Sequence, residues 1–205
     1  MGKVKFTKGE LKRQRDALKQ YERYLPTLQL KKQQLQLEIL HQSGLLERKE
    51  LELEAKYKYA LTWSAFLIED VTGLKGWLKP EEALTSSKNV AGVDVPVFQS
   101  LRFRDVEYDL FTAPLWVDAG LKALRELVSL QKEIEILKEG ISILRHELRI
   151  TTQRVNLFEK VKIPEAKEAI RLIKIYIGDQ MANAVGRSKI AKNKIQDNIL
   201  EEAAV

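Results

Sequence analysis

Leu11, Leu18, Leu25, Ile39, Leu46, Leu53, Ala60 and Leu67 recur at seven-residue spacing, with Lys32 as the one break. A second column, Tyr21, Leu28, Leu35 and Trp63, lies three or four residues away, interrupted by Gln14, Gln42, Lys49 and Lys56. A repeat of 3.5 residues kept over this length predicts a left-handed coiled coil. Sixty residues of helix would span about 90 Å, longer than a globular core of this mass requires. Pro26 is the only proline of the stretch. Thr7 followed by Glu10 is a possible capping box at its start.

The same pattern returns near the other end. Leu127, Ile134, Ile141, Leu148 and Val155 form one column, and Leu130, Leu137, Leu144, Thr151 and Phe158 the other. Pro164 interrupts it, after which Ala166, Ala169, Ile170, Ile173, Ile177, Met181 and Val185 continue a helical stripe. Two long amphipathic helices joined by a compact connection should fold back as an antiparallel pair. If the pair starts near residues 70 and 120, the numbers of facing residues total about 190. Pro26 would then stand level with Pro164, and His41 close to His146. The last twenty or so residues would outrun the first helix and protrude as a single helix.

Between the helices the composition changes. Pro80, Pro96 and Pro114 lie here, with Gly73, Gly76, Gly92 and the turn-rich run Thr85–Asn89. The β-branched segment Val90–Phe98 and the alternating segment Ser100–Phe111 predict a hairpin or small sheet. Ten of the fifteen aromatic residues fall between Tyr57 and Trp116, which places a compact core there. The expected fold class is all-α dominated: a long antiparallel two-helix left-handed coiled coil with a small α/β middle domain. The expected divisions are 1–70, 71–117 and 118–205.

Composition closes off several chemistries. The chain has no Cys, which excludes disulfides, thiolate nucleophiles and Cys-built metal sites. No apolar run is long enough to span a bilayer as a helix. The basic start lacks an apolar stretch behind it, unlike a secretory signal, so a cytoplasmic location is expected. No Walker loop, dinucleotide fingerprint, zinc-protease helix or nucleophile elbow occurs. Two His without Cys or clustered acids make a poor metal site, and carboxylates are spread along helices among lysines. The expectation is therefore a non-enzyme without cofactor or metal. Of the net charge of +6, the stretch Lys3–Lys32 supplies ten cations against three acids. A basic end seeks an acidic partner surface, a nucleic acid or an anionic membrane. A nucleic-acid-binding coiled coil and a scaffold rod without a motor are the competing readings. The aromatics sit apart from the basic stretch, unlike those of a strand-binding groove.

The segment Arg145–Glu159 sets Leu148, Val155 and Phe158 inward on a helix, with Arg145, Arg149 and Arg154 free to meet carboxylates. Asn156 could fix register between helices or face a partner. Within it, Thr152-Gln153-Arg154-Val155-Asn156-Leu157-Phe158-Glu159, followed by Ile163-Pro164, resembles the signature of the D subunit of V-type and A-type ATPases, an R-V-N-A-L-E stretch before an isoleucine–proline pair. Lys88–Pro96 resembles that family's N-V-x-G-V-x-V-P stretch. Thr7, Leu11 and Leu28–Leu35 resemble its opening P-T-x-x-x-L and lysine-rich helix. The resemblance covers most of the chain. One departure is Gly178–Arg187, which has small residues where the family carries E-E-x-E-R.

This resemblance implies a central rotor shaft whose chain ends reach into a ring of catalytic and regulatory subunits. It also implies binding of a small companion in the central stalk, the F subunit, and seating on a subunit that caps the membrane ring. The chain would be peripheral to the membrane, with no bilayer insertion and no nucleotide of its own. Ring-bearing candidates are Lys12, Arg13, Arg15, Lys19, Arg23 and Lys174, with Arg187, Lys189 and Lys192 further along. Candidates for the middle domain and stalk partner are Tyr57, Trp63, Phe66, Trp77, Phe98 and Phe103. A polar bearing surface would let the shaft turn without an adhesive apolar interface.

Overall fold

The computed structural model describes residues 5–65, 74–105 and 114–203. In chain order it contains α1 (Lys8–Trp63), α2 (Leu74–Trp77), β1 (Pro80–Val90), β2 (Val93–Phe103), α3 (Val117–Leu157), a single π turn (Phe158–Lys162) and α4 (Ile163–Ala203). Thr7 caps α1: its hydroxyl accepts from the Glu10 N–H at 3.2 Å. The reciprocal half of a capping box is missing. Glu10 accepts instead from the Gln14 side chain, and the Thr7 N–H donates to the Lys5 carbonyl.

The contacts gather into two units, residues 30–152 and residues 1–29 with 153–205. In the first, α1 and α3 run antiparallel. Lys31 meets Glu147 at 2.9 Å, Lys49 meets Glu133 at 3.2 Å and Lys56 meets Glu126 at 3.2 Å. The numbers of these facing residues total about 180, not the 190 expected. The helices meet at Trp63 and Val117, short of residues 70 and 120, because Trp63 and Trp116 gather against Gly120 at that end. A Cβ on Gly120 would come within 2.8 Å of the Trp116 ring, so glycine makes room for the indole. His41 and His146 are therefore not level. Gln42 is the residue that reaches Gly140, and both histidines are exposed.

The polar breaks in both heptad columns of α1 turn inward with their apolar neighbours. Gln14, Lys32, Lys49 and Lys56 are half-buried and Gln42 is buried. Lys49 lies between Glu133 and Glu52. Burial pushes its pKa down, but the hydrogen bonds and charges of Glu133 and Glu52 outweigh that and raise it overall. The ammonium is thus kept, and the lysine stem covers apolar surface.

The sheet is a two-stranded antiparallel hairpin. Its boundaries differ from the expected ones. Thr85–Asn89 is strand, not turn, and Val90–Phe98 straddles the turn. The reversal is at Ala91 and Gly92, both with positive φ (51° and 78°), the backbone of a tight type I′ hairpin turn. Asn89 fixes it by accepting from the Gly92 N–H and donating to Asp94. The last part of the expected second strand, Val106–Phe111, lies outside the described residues.

The hairpin's turn end packs on the helix pair. Leu35, Val95 and Leu144 are each within 1% of complete burial, and Ile39, Val90, Ala91, Val93 and Leu148 close around them. Its base is held by Arg125, which donates to the carbonyls of Trp77 and Arg104 and lies 5.1 Å over the Phe103 ring. Lys88 adds a bond to Glu38 at 3.2 Å.

In the second unit, Val155, Ala166, Ala169, Ile170 and Ile173 are buried. Tyr21 stacks on Phe158 at 5.4 Å, Glu22 meets Lys167, and Phe6 lies against Tyr176 at 5.1 Å. This pairing also runs antiparallel. It places Pro26 opposite the end of α3, about ten residues short of the expected Pro164. After Phe158 the buried column resumes at Ala166, Ile170 and Ile173, one residue late for a strict heptad. The π turn absorbs that residue: the Ile163 N–H bonds the Phe158 carbonyl. Pro164 accounts for the position, since its ring would clash with the Lys160 carbonyl and it has no N–H to give.

Candidate functional site

Among the described residues, no group of three or more His, Asp or Glu gathers as metal ligands would. None of the described helices is long and apolar enough to cross a membrane. What the chain offers is surfaces.

In the second unit, Lys8, Lys12, Arg15, Lys19 and Arg23 recur at three- and four-residue intervals on α1. That spacing aligns them along one helix face, away from Leu11, Leu18 and Leu25, which are half-buried. All five cations are exposed. Arg13 stands off this line, near Glu10 at 4.0 Å. Lys174, Arg187, Lys189 and Lys192 are exposed on α4, and their spacing spreads them around the helix instead of along one stripe.

The apolar stripe of α4 changes character along its length. Ile170 and Ile173 are buried, and Ile177 is half-buried. From 178 to 199 every residue is exposed. Yet the stripe continues at helical spacing through Met181, Ala184, Ser188, Ala191, Ile195 and Ile199. Phe6 against Tyr176 is the contact nearest the start of the described residues. Beyond it, among the described residues, a face of the kind that is buried below has nothing from this chain upon it. Gly178 and Gly186 sit in this segment, and a Cβ on either would meet nothing within 4 Å. Replacing both with Ala is expected to raise helicity and to stabilise the segment by about 1 kcal/mol each. Far-UV circular dichroism and amide exchange of the full chain would register it.

In the first unit, the coiled-coil positions Ile39, Leu46, Leu53, Leu127 and Leu148 are half-buried, and Ile134 and Ile141 are buried. Of the stalk-partner candidates, Tyr57 is exposed, while Trp63, Trp77, Phe98 and Phe103 are half-buried and partly spent on internal packing. Phe66 lies outside the described residues. Tyr57 lines an open groove of about 720 Å³ with Leu53, Leu78, Leu124 and Leu127, rimmed by Glu50, Glu54, Glu135 and Lys138, the last paired to Glu50 at 2.7 Å.

Sequence reasoning missed a second surface on α1. Leu37, Leu40 and Leu51 are 68%, 72% and 61% exposed. Leu30, Leu37 and Leu51, with Gly44 between, are themselves seven-spaced, so α1 carries one heptad stripe inward and another outward. The denser inward columns masked this signal. Asn156, Arg145, Arg149 and Arg154 are exposed, so Asn156 does not lie between the helices.

Glu38 joins the helix pair to the hairpin. Burial pushes its carboxyl pKa up, but hydrogen bonds from Lys88 and Gln42 and the charges of Lys88 and His41 outweigh this and hold it below the usual range. A depressed folded pKa gives stability that is present above the unfolded pKa and lost as pH falls through the folded one. Glu38→Gln should therefore cost about 0.5–1 kcal/mol near neutrality, modest because Lys88 is exposed, and nothing well below the carboxylate range. Denaturant midpoints of both chains at the two pH values check this; a gap that persists in acid would contradict it.

Residues 10–193 match the family described as the D subunit of ATP synthase. The D subunit of the V-type ATP synthase of Borreliella burgdorferi is 44% identical over 195 residues, covering 95% of this chain and 96% of the relative. The protein of the same name from Chlamydia abortus is 36% identical, covering 94% of each chain. That of Chlamydia trachomatis serovar L2 is 32% identical, covering 95% and 97%. A match through both heptad helices, the hairpin and the Arg154–Pro164 segment leaves one conclusion: this chain belongs to the family of V-type ATP synthase D subunits.

Proposed function

We propose that this chain is a non-catalytic central-stalk rotor subunit. It transmits torque between the ring that hydrolyses or makes ATP and the ion-translocating ring in the membrane. The observation that carries this is the stripe of α4, buried through Ile173 and then exposed from Met181 to Ile199. A helix with an apolar face and no partner among the described residues of its chain is suited to enter a surrounding socket. The catalytic and regulatory subunits of the head ring are the proposed socket. The line Lys12, Arg15, Lys19 and Arg23, with Arg13 and Lys174 nearby, is the proposed bearing surface, solvated and free to slide. Arg187, Lys189 and Lys192 extend it along the tip.

Tyr57 with its apolar groove and the outward stripe Leu37, Leu40 and Leu51 are proposed to meet the small F subunit of the stalk, with the aromatics of 71–117 nearby. The cap of the membrane ring would receive the shaft's other end. The chain then works in the cytoplasm, peripheral to the membrane, and binds no nucleotide itself.

Affinity capture of the tagged chain from native membranes should recover an ATP-hydrolysing ring. The purified chain alone should show no turnover of ATP. Removal of Gly186–Val205 should weaken recovery of the ring while leaving most helicity in place. Recovery of nucleic acid in place of the ring, or collapse of helicity on truncation, would contradict the proposal.

A further inference from the structure

Two interruptions of the helical hydrogen-bond ladder lie close together in the unit formed by residues 1–29 and 153–205. On α1, Pro26 has no N–H to give to the Glu22 carbonyl four residues back. One residue later, the Thr27 hydroxyl donates to the Tyr24 carbonyl at 2.7 Å, a back-bond that loosens and bends helices. On the opposing helix, the π turn Phe158–Lys162 precedes Pro164. The two gaps adjoin: with Tyr21 beside Phe158, the Pro26 gap over residues 22–26 lies along the end of α3 and runs up to the start of the π turn. Tyr21 stacks on Phe158, and Glu22 reaches Lys167 at 3.4 Å, so residues 21–22 span the π turn. The flanking contacts are themselves compliant. One is a ring stack that can slide, and the other an ion pair with both side chains more than half exposed. Leu157 and Val161 are also exposed, at 45% and 40%, so little packing holds the π turn from outside.

An interruption in one helix alone would be splinted by an intact neighbour. Interruptions on both helices within about two turns of one another leave this stretch less continuous ladder than its flanks to resist bending or twist. We infer that residues 21–27 and 157–167 form a built-in compliant joint, where the helix pair deforms before its flanks do. Its use in a shaft, as the place that yields under stepwise load, rests on the rotor reading. The joint itself does not.

Hydrogen exchange on the isolated full chain tests it. Amides of 22–27 and 158–165 should exchange about tenfold or more faster than those of 46–53 and 130–137. In the double variant Pro26→Ala and Pro164→Ala, that difference should shrink about tenfold. Equal protection in the unaltered chain, or an unchanged difference in a variant of full helicity, would overturn the joint. A second measurement leaves both prolines in place. Because the chain has no Cys, nitroxides can be set at Arg154→Cys with Lys167→Cys, and at Lys122→Cys with Glu135→Cys. Both pairs are thirteen residues apart, one spanning the π turn and one within α3. The first should give the broader distance distribution; equal widths would overturn the inference. Neither result depends on recovery of an ATPase ring, so failure of the joint and failure of the rotor reading are separable.

Discussion

Leu144→Ala is expected to lower the stability of the full chain by about 2–5 kcal/mol, read from the denaturant midpoint. Leu144 is fully buried, and it belongs to three elements at once. It sits on α3, faces Leu35 of α1 and takes the Val95 side chain of β2. Removing its branched end leaves a cavity that neither a helix fixed by cross-pairs nor a hairpin fixed by Arg125 can close. The same change at Leu40, which is 72% exposed, should cost less than about 0.5 kcal/mol. Equal costs at the two positions would mean that the hairpin and the helix pair share no core.

The second expected result concerns a glycine. A Cβ on Gly140 would lie 2.7 Å from Cγ1 of Val95, which is 1% exposed. Gly140→Ala should therefore destabilise by about 1–3 kcal/mol through overpacking, against a gain in helix propensity of about 1 kcal/mol. In a Val95→Ala background the clash disappears and only the gain remains. The sign of Gly140→Ala should then invert. A thermodynamic cycle over the four chains measures this, with coupling of about 1–3 kcal/mol expected. Additive effects would contradict close seating of β2 on α3.

These residues also show what the sequence makes legible. The long helices and their inward columns follow from seven-residue spacing, because nothing else accommodates that period for so long. The inward place of Lys49 and Lys56 also follows from spacing, once the ion pairs with Glu133 and Glu126 are allowed for. Facing register differs from expectation by about ten residues, because it is set by where the helices end. Two indoles around Gly120 decide that, and no local pattern announces it. The hairpin turn is displaced because Thr85–Asn89 has turn-prone composition. Ala91–Gly92 wins through the Asn89 bonds and positive φ at both positions. The π turn is visible in the sequence only as a heptad that resumes one residue late after Phe158. The basic stripe is legible as charge, but its alignment needs the helix. The outward stripe at Leu37 and Leu51 is hidden by a stronger signal on the same segment.

The claim on which the functional reading rests is that this chain turns inside its ring. A bead or fluorophore fixed to the hairpin through the exposed position Ser87→Cys, in a ring assembled on a surface and supplied with ATP, measures it directly. The account predicts stepwise rotation in one direction, ceasing when hydrolysis ceases. A probe that stays still while the ring continues to hydrolyse ATP would contradict it.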